Sequence, residues 1–212
     1  MAEKNKWGEF FQKKGFLSLF IIYLDRIYFS KRVKNFLVKN LKEGDSILEP
    51  GCGSGYVSIQ FAKEGYNVTF LDNSDIALKL VKEQYPKANT IKADINKMPF
   101  RSSTFDLTWN YGVIEHFDNP EKVVKEMIRV TKEQGKLILV VPAYMSLMHF
   151  LYKILNAFNL WTIDKQIFFK KSELKSLLKK ADLDKIEISR PILSLGLSLF
   201  ASATKKQQES PK

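Results

Sequence analysis

Cysteine is almost absent from this chain: Cys52 is the only one among 212 residues, so no internal disulfide can form. The lack of disulfides fits a reducing compartment, and we expect a cytoplasmic protein. Long apolar runs are also missing. The run over residues 15–24 is shorter than the about 20 residues that span a bilayer, and it ends at Asp25-Arg26 without a small-residue cleavage site. We therefore predict neither a membrane-spanning helix nor a secretory signal.

Arginine is scarce, although the chain is basic. The net charge is +11, but only five of the 34 basic residues are arginines. Arginine supplies the bidentate fork that suits phosphate and guanine, so its scarcity disfavours a nucleic-acid partner. The lysines are spread along the chain, which favours a solvated, lysine-rich surface. Peripheral contact with an anionic membrane stays open as a second interpretation of the charge.

Three of the ten glycines alternate within one short stretch, at Gly51, Gly53 and Gly55. They follow an apolar run that ends in Glu49, and residues 56–62 after them have the pattern of a helix start. Glycine lets a ligand approach the backbone closely, and a helix start offers free N–H groups to an anionic group. Because Tyr56 replaces the last glycine of the dinucleotide pattern G-x-G-x-x-G, a nicotinamide oxidoreductase is disfavoured.

Beyond this stretch, apolar segments and turn residues alternate in a way that predicts strands and helices in turn. The predicted strands cover residues 46–49, 68–71, 90–93, 105–109 and 136–141. Gln134-Gly135 is expected to end the helix before the last of them. Five alternations call for a doubly wound, parallel α/β sheet with helices on both faces. A helix is predicted near Ser172–Ala181. After it, leucine alternates strictly with serine or glycine over Leu193–Leu199, which predicts a further antiparallel strand near the sheet edge.

Three segments flank or interrupt this domain, which we place at residues 43–204. Residues 1–42 carry apolar side chains at three- and four-residue spacing, which predicts an N-terminal helical cap. Residues 143–168 are predicted to form a lid insertion after the fifth strand. The polar tail, residues 205–212, is expected to be disordered.

Polar residues stand at the ends of four predicted strands: Glu49, Asp72, Asp94 and Asn110. In an open parallel sheet, ligands bind outside the carboxyl ends of the strands, so these side chains are candidates for one site. A carboxylate at the position of Asp72 can accept both hydroxyls of a ribose. A helix-capping role is the alternative for Asp72, and an exposed loop acid is the alternative for Asp94.

With these stretches taken in order, the chain resembles the class I S-adenosylmethionine-dependent methyltransferases. The closest subgroup is the small-molecule one (type 11) that includes ubiquinone-biosynthesis enzymes, and the resemblance implies a seven-stranded, Rossmann-like sheet. It covers residues 43–142 well, and residues 1–42 and 143–168 hardly at all. The stretches that carry it are Glu49–Gly55, Leu71–Ser74, Lys92–Ile95, Met98–Phe100, Phe105–Leu107, Gly112–Phe117 and Gly135–Pro142.

The resemblance also implies S-adenosyl-L-methionine as cofactor and a role for each matching residue. Gly51, Cys52, Gly53 and Gly55 would form the loop around the methionine end. Glu49 would orient this loop and the cofactor amino group, and Asn110 would offer its carbonyl to the same ammonium. Asp72 would bind the ribose hydroxyls and Asn73 would flank the adenine. Asp94 would accept from the adenine amino group, and the Ile95 backbone N–H would reach a ring nitrogen.

Methyl transfer from a sulfonium releases a neutral leaving group, so no metal is required in principle. Gly112 stands where some quinone-type relatives have a further metal-binding acid, which argues against a metal site. If the acceptor is a hydroxyl, a general base helps, and His116 is the candidate because histidine titrates near neutral pH. The alternative for His116 is a packing or hydrogen-bonding role beside the fourth strand.

The acceptor side of the site falls in residues 143–163, which predict a helix with a narrow polar stripe and a wide apolar surface. This surface has three interpretations: packing on the N-terminal helices, a lid over an apolar acceptor, or a face on membrane lipid. We expect methyl transfer to a small, apolar or aromatic acceptor. The alternatives are a nucleic-acid or protein methyltransferase, although Asn110–Gly112 lacks an Asn-Pro-Pro-aromatic element, and a non-catalytic cofactor-binding module. The oligomeric state is left open.

Overall fold

The computed structural model describes residues 30–158, 166–191 and 197–207. Within them, the strands are β1 (Ser46–Pro50), β2 (Asn67–Asp72), β3 (Asn89–Lys92), β4 (Phe105–Tyr111), β5 (Thr131–Pro142), β6 (Leu183–Ser189) and β7 (Ser198–Lys205). The helices are α1 (Ser30–Val38), α2 (Tyr56–Lys63), α3 (Asp75–Gln84), α4 (Pro120–Val130), α5 (Leu147–Ala157) and α6 (Lys171–Lys180), with a 3-10 turn at Ile114–His116.

The strands form one seven-stranded sheet in the order β3-β2-β1-β4-β5-β7-β6. Strands β1 to β5 pair in parallel, whereas β7 runs antiparallel to both of its neighbours, β5 and β6. The predicted doubly wound, mostly parallel, Rossmann-like sheet is therefore confirmed. We call the edge where β1 to β5 terminate the carboxyl edge, because every polar strand-end residue predicted above belongs there.

Two apolar layers cover the two faces of the sheet. One contains residues of α1, α2 and α3, and the other contains residues of α4 and α6. Strand β5 serves both layers: Ile138 and Val140 belong to the first, and Leu137, Leu139 and Val141 to the second. A strand covered on both faces needs apolar residues at every position, which explains the uninterrupted run in the sequence.

The start of β5 differs from the prediction. Helix α4 ends at Val130 and β5 begins at Thr131, so Gln134-Gly135 lies inside the strand instead of separating it from the helix. The pairing of β4 with β5 shifts register here, and Gln134 has a φ of 60°. A Cβ on Gly135 would lie 2.7 Å from the Lys132 carbonyl oxygen. The glycine thus allows a bulge, which the sequence pattern alone does not distinguish from a turn.

The last strand also extends beyond its predicted end. β7 runs to Lys205, whose Nζ donates to the Thr131 carbonyl oxygen at 2.7 Å, so Lys205 is not part of a disordered tail. Most of the predicted strand Leu193–Leu199 lies outside the described residues, as do residues 208–212. Ala-Ser-Ala-Thr at positions 201–204 offers little of the bulky patterning by which strands are identified, yet these residues are buried between β5 and β6.

Two flanking segments complete the description. Residues 1–29 of the predicted N-terminal cap lie outside the described residues, and its described part contains the helix α1. The predicted insertion 143–168 contains α5, and its residues 159–165 also lie outside the description. Among the residues that are described, no helix has both the length and the apolarity that a bilayer crossing requires.

Candidate functional site

The glycine loop between β1 and α2 is held against the end of β2. The backbone N–H groups of Gly51 and Cys52 both donate to the Leu71 carbonyl oxygen, at 2.7 and 3.0 Å. Gly51, Gly53 and Gly55 have φ values of 73°, 50° and 61°, in the left-handed region that favours glycine. The alternation of glycines in the sequence therefore corresponds to an alternation of left-handed backbone.

Close contacts give a second reason for two of these glycines. A Cβ on Gly51 would lie 2.8 Å from Cγ1 of Val113, which follows β4. A Cβ on Gly55 would lie 2.9 Å from the Phe70 ring and from Cγ2 of Val81. The loop thus lies directly between the ends of β2 and β4, and side chains in it would separate these segments.

Asp72 connects the glycine loop to the next helix. Its Oδ2 accepts from the Gly53 N–H at 2.9 Å, and its Oδ1 accepts from the Ser74 N–H at 2.9 Å. The cap of α3 is Ser74, whose Oγ accepts from the Ala77 N–H. Burial raises the pKa of Asp72, while these backbone N–H groups lower it. Each carboxylate oxygen keeps lone-pair capacity for a further donor, as a pair of ribose hydroxyls would require.

Glu49 and Asn110 bring unsatisfied acceptors to the same edge. Strands β1 and β4 are neighbours, with Leu48 opposite Thr108, so Glu49 and Asn110 end adjacent strands. Within the described residues, Oε2 of Glu49 and Oδ1 of Asn110 are buried atoms that have no hydrogen-bond partner. Buried acceptors of this kind cost free energy unless a donor reaches them. The two side chains lie on opposite faces of the sheet, since Glu49 bonds the Ser58 side chain of α2 and Nδ2 of Asn110 donates to Met127 of α4. Each oxygen is thus a separate acceptor for a ligand donor at this edge.

The charge state of Glu49 depends on its burial. Desolvation raises its pKa from 4.5 to about 8, a hydrogen bond with the Ser58 side chain lowers it in part, and the charge of Asp72 raises it further. Desolvation and the charges of Glu49 and Asp72 likewise raise the pKa of Cys52, which is buried. Cys52 is thus a small packing residue with little thiolate character.

The residues predicted to contact the adenine show fewer features of a binding site. Asp94 is exposed, and its Oδ1 accepts from the backbone N–H and the Nδ2 of Asn96, which closes a local turn. Ile95 is buried in the core, and Asn73 is exposed. This geometry agrees with the alternative of a loop acid for Asp94, and the adenine roles of all three residues stay predictions.

Glu115 is a further candidate, to which the sequence pattern assigned no role. It lies in the 3-10 turn after β4, is 2% exposed, and its Oε2 has no hydrogen-bond partner in the described structure. Desolvation raises its pKa to about 8, and backbone N–H groups of Glu115 and Val113 oppose this. Its Oε1 would lie 3.5 Å from a Cβ on Gly112. The only sequence signal was an acid placed between Ile114 and Phe117.

His116 occupies the last position of the same turn and is half-buried, and its backbone N–H donates to the Val113 carbonyl oxygen. Its role as a base stays a prediction. Within the three described ranges, no group of three histidine, cysteine or acidic side chains comes together in an arrangement that could hold a metal ion.

Comparisons with known proteins agree with this geometry. Residues 48–139, which contain the glycine loop and all four strand-end residues, match the family described as "Methyltransferase domain". An uncharacterised protein of Methanocaldococcus jannaschii is 32% identical over 127 residues, which are 60% of this chain and 54% of that protein. A demethylmenaquinone methyltransferase of Renibacterium salmoninarum is 35% identical over 97 residues, which are 45% of this chain and 40% of that protein. The chain thus spans about half of the length of these relatives, or less.

The fold is shared with solved structures of methyltransferases. A SAM-dependent methyltransferase from Thermotoga maritima superimposes with a TM-score of 0.74 at 18% identity, covering 95% of this chain and 99% of the other. At this identity the likeness concerns the fold.

Proposed function

We propose that the chain is a class I S-adenosylmethionine-dependent methyltransferase that transfers a methyl group to a small, apolar or aromatic acceptor, and the match of residues 48–139 to the methyltransferase domain family supports this. The observation that carries the proposal is the buried, unsatisfied Oε2 of Glu49, the residue that ends β1 just before the glycine loop. It provides an acceptor for an ammonium next to backbone that lies open to a ligand. A loop that only connected β1 to α2 would not require it.

We assign the binding roles accordingly. Glu49 Oε2 accepts from the amino group of the cofactor, and Asn110 offers its carbonyl to the same group. The loop Gly51–Gly55 lies along its methionine end, and Asp72 accepts from the ribose hydroxyls while it keeps its bonds to the loop. Asn73, Asp94 and the Ile95 N–H border the adenine.

The chemistry divides between cofactor and protein. Bound S-adenosylmethionine supplies an electrophilic methyl group on a positively charged sulfur. The protein orients the two reactants and keeps water away from them, which contributes most of the rate enhancement in a displacement of this kind. His116 takes the proton of a hydroxyl acceptor, since an imidazole is partly neutral at physiological pH.

One comparison supports an apolar or aromatic acceptor. The relative from Renibacterium salmoninarum carries a name that specifies a quinone acceptor, over a region that includes less than half of this chain.

Cofactor binding is the first test. Calorimetric titration with S-adenosylmethionine should show one site, and Asp72→Asn should weaken it about tenfold to a hundredfold because a charged hydrogen-bond acceptor is lost. Asp75→Asn is the matched control, since Asp75 is an exposed acid that pairs with Lys92. Equal affinity of Asp72→Asn and the wild type would contradict the ribose role.

The acceptor is found with a tritiated-methyl transfer screen over lipid, quinone, small phenol, tRNA and protein extracts. Labelling of a phenol or quinone supports the proposal, and exclusive labelling of tRNA or protein overturns its acceptor class. His116→Ala should then lower kcat far more than it lowers cofactor affinity. Unchanged turnover with the identified acceptor would exclude His116 as the base.

A further inference from the structure

Helix α5 presents its apolar side chains to solvent. Five large apolar residues recur on one side of it, at intervals of three and four positions, and are 44–71% exposed; we call them the α5 face: Leu147, Phe150, Leu151, Ile154 and Phe158. The opposite side carries the only buried residue of the helix, His149. The usual arrangement of a surface helix, with polar residues outside and apolar residues inside, is thus reversed.

Specific contacts fix this orientation. The His149 ring lies 4.7 Å from the rings of both Tyr144 and Phe168, and its Nδ1 accepts from the Met145 N–H at 3.1 Å. The Ser146 Oγ caps the helix by accepting from the His149 N–H. A rotation that buried the α5 face would break all of these contacts, so within the described residues they hold this face away from the core of the domain.

A cationic cavity adjoins the α5 face. It has a volume of about 350 Å³, lies beyond the end of β5, and has Lys170, Lys171 and Arg190 in its lining. Met145, which is 62% exposed, lines it as well and lies two residues before Leu147, so the cavity adjoins the start of α5. Exposed Lys153 adds a further cation on α5 itself.

The cations differ in their contacts. Lys170 lies 5.0 Å above the Tyr144 ring and 3.6 Å from Glu173 Oε1, and Arg190 donates to the Met145 carbonyl oxygen at 3.1 Å. These contacts hold positive charge beside Tyr144 and Met145. Glu173 therefore pairs with one cation of a basic group that lies near the exposed apolar side chains, on a chain whose net charge is +11.

We propose that the α5 face and the cationic cavity together dock the protein on an anionic lipid surface. The apolar side chains enter the boundary between headgroups and acyl chains, and the lysine and arginine side chains meet the anionic headgroups. Charge complementarity selects this occupant, since a purely apolar partner would cover the exposed Lys153 and Lys171 without offering them a counter-charge. The inference stands apart from methyl transfer and does not require it.

Vesicle co-sedimentation at low salt tests the proposal. Vesicles of phosphatidylcholine with phosphatidylglycerol should bind the protein, and vesicles of phosphatidylcholine alone should not. Leu147→Glu with Ile154→Glu, and separately Lys171→Glu with Arg190→Glu, should each weaken binding about tenfold or more. The matched controls are Val38→Glu and Lys87→Glu, which change an exposed apolar residue and an exposed lysine that precede β1 and β3, at the opposite edge of the sheet.

A label then shows whether the face enters the lipid. Because Cys52 is buried, Ile154→Cys can be labelled selectively with an environment-sensitive dye. Its emission should shift to the blue with anionic vesicles, whereas a label on Lys87→Cys should not respond. Cofactor titration of every variant checks folding and separates a failure here from a failure of the proposed function.

Three outcomes would overturn the proposal. The first is absence of binding to anionic vesicles. The second is equal weakening by the control variants, which would indicate general electrostatic attraction. The third is a wild-type dimer that Leu147→Glu converts to a monomer without any vesicle binding, because the α5 face would then join two copies of the chain.

Discussion

Gly51 shows at the scale of one residue what the cofactor loop requires. Gly51 and Gly44 both have left-handed backbone, with φ values of 73° and 83°. Only Gly51 is crowded: a Cβ there would lie 2.8 Å from Val113, whereas a Cβ on Gly44 would meet nothing within 4 Å. Gly44→Ala should cost about 1 kcal/mol of unfolding free energy. Gly51→Ala should cost about 2–3 kcal/mol and weaken cofactor binding, as measured by urea denaturation and calorimetry.

The double variant Gly51→Ala with Val113→Ala is the control for this difference. It removes the γ-carbons that an added Cβ would contact, so the excess cost over Gly44→Ala should shrink. Equal destabilisation by Gly44→Ala and Gly51→Ala would show that conformation alone, without close approach, explains the glycine.

Glu49 predicts a proton linkage. Burial raises its pKa to about 8, so at pH 7 it is mainly protonated before a ligand binds. A cationic ammonium beside it favours the carboxylate, and binding should therefore release up to about one proton at pH 7. Calorimetry in two buffers of different ionisation enthalpy measures this number. Glu49→Gln cannot release the proton, and an unchanged release in that variant would assign the effect to another group.

The residues that sequence reasoning found share a local signature. Glu49, Asp72 and Asn110 each close a run of apolar residues, and the carboxyl ends of parallel strands meet at one edge. Glu115 closes no strand and lies in a short turn. Its burial results from the packing of segments that are distant in sequence, such as Ile167, whose N–H donates to the Glu115 carbonyl oxygen at 3.0 Å. No local pattern predicts such a contact.

At the scale of elements, α4 fastens the segment that follows β3. Arg129 donates to the carbonyl oxygens of Phe100 and Met98, at 2.7 and 3.0 Å, and to the Glu126 carboxylate, which in turn accepts from the Met98 N–H. Arg129→Met keeps the apolar stem but leaves these acceptors without a donor. We expect it to cost about 2 kcal/mol of unfolding free energy, measured by urea denaturation.

Lys125→Met is the matched control on the same helix, because Lys125 forms an exposed pair with Glu121. Its effect should stay within about 0.5 kcal/mol. If both variants changed stability equally, α4 would not depend on Arg129 for its attachment to residues 98–100.

Elements were predicted well where the side chains had a clear period, and less well elsewhere. The parallel strands are apolar and β-branched, and turn residues bound them. The bulge at Gln134-Gly135 uses the same residue types as a turn, and β7 consists largely of small residues whose burial depends on β5 and β6. Both differences arise where pairing between strands, not local preference, decides the conformation.

At the scale of the whole molecule, buried acids make stability depend on pH. Burial raises the pKa of both Glu49 and Glu115 from 4.5 to about 8. The folded state therefore binds more protons than the unfolded state between these values, and stability should fall as pH rises through this window. The pKa of Asp106 is lowered, because hydrogen bonds from Lys132 and Ser46 outweigh its desolvation. Its contribution to stability is therefore lost only at lower pH, where acid protonates the carboxylate.

Unfolding by urea between pH 5 and pH 8 tests the two glutamates, and Asp106 stays ionised across that range. Asp72, with a raised pKa, and His149, with a lowered pKa, also contribute, so glutamine variants are needed to assign the effect. The wild type should lose stability on the order of a few kcal/mol over this range, when no ligand is present. Glu49→Gln and Glu115→Gln should each flatten the dependence, because glutamine keeps the shape and does not titrate. The double variant should flatten it most. A stability that increases toward pH 8, or a slope that Glu115→Gln leaves unchanged, would contradict the burial of a protonated acid in the turn after β4.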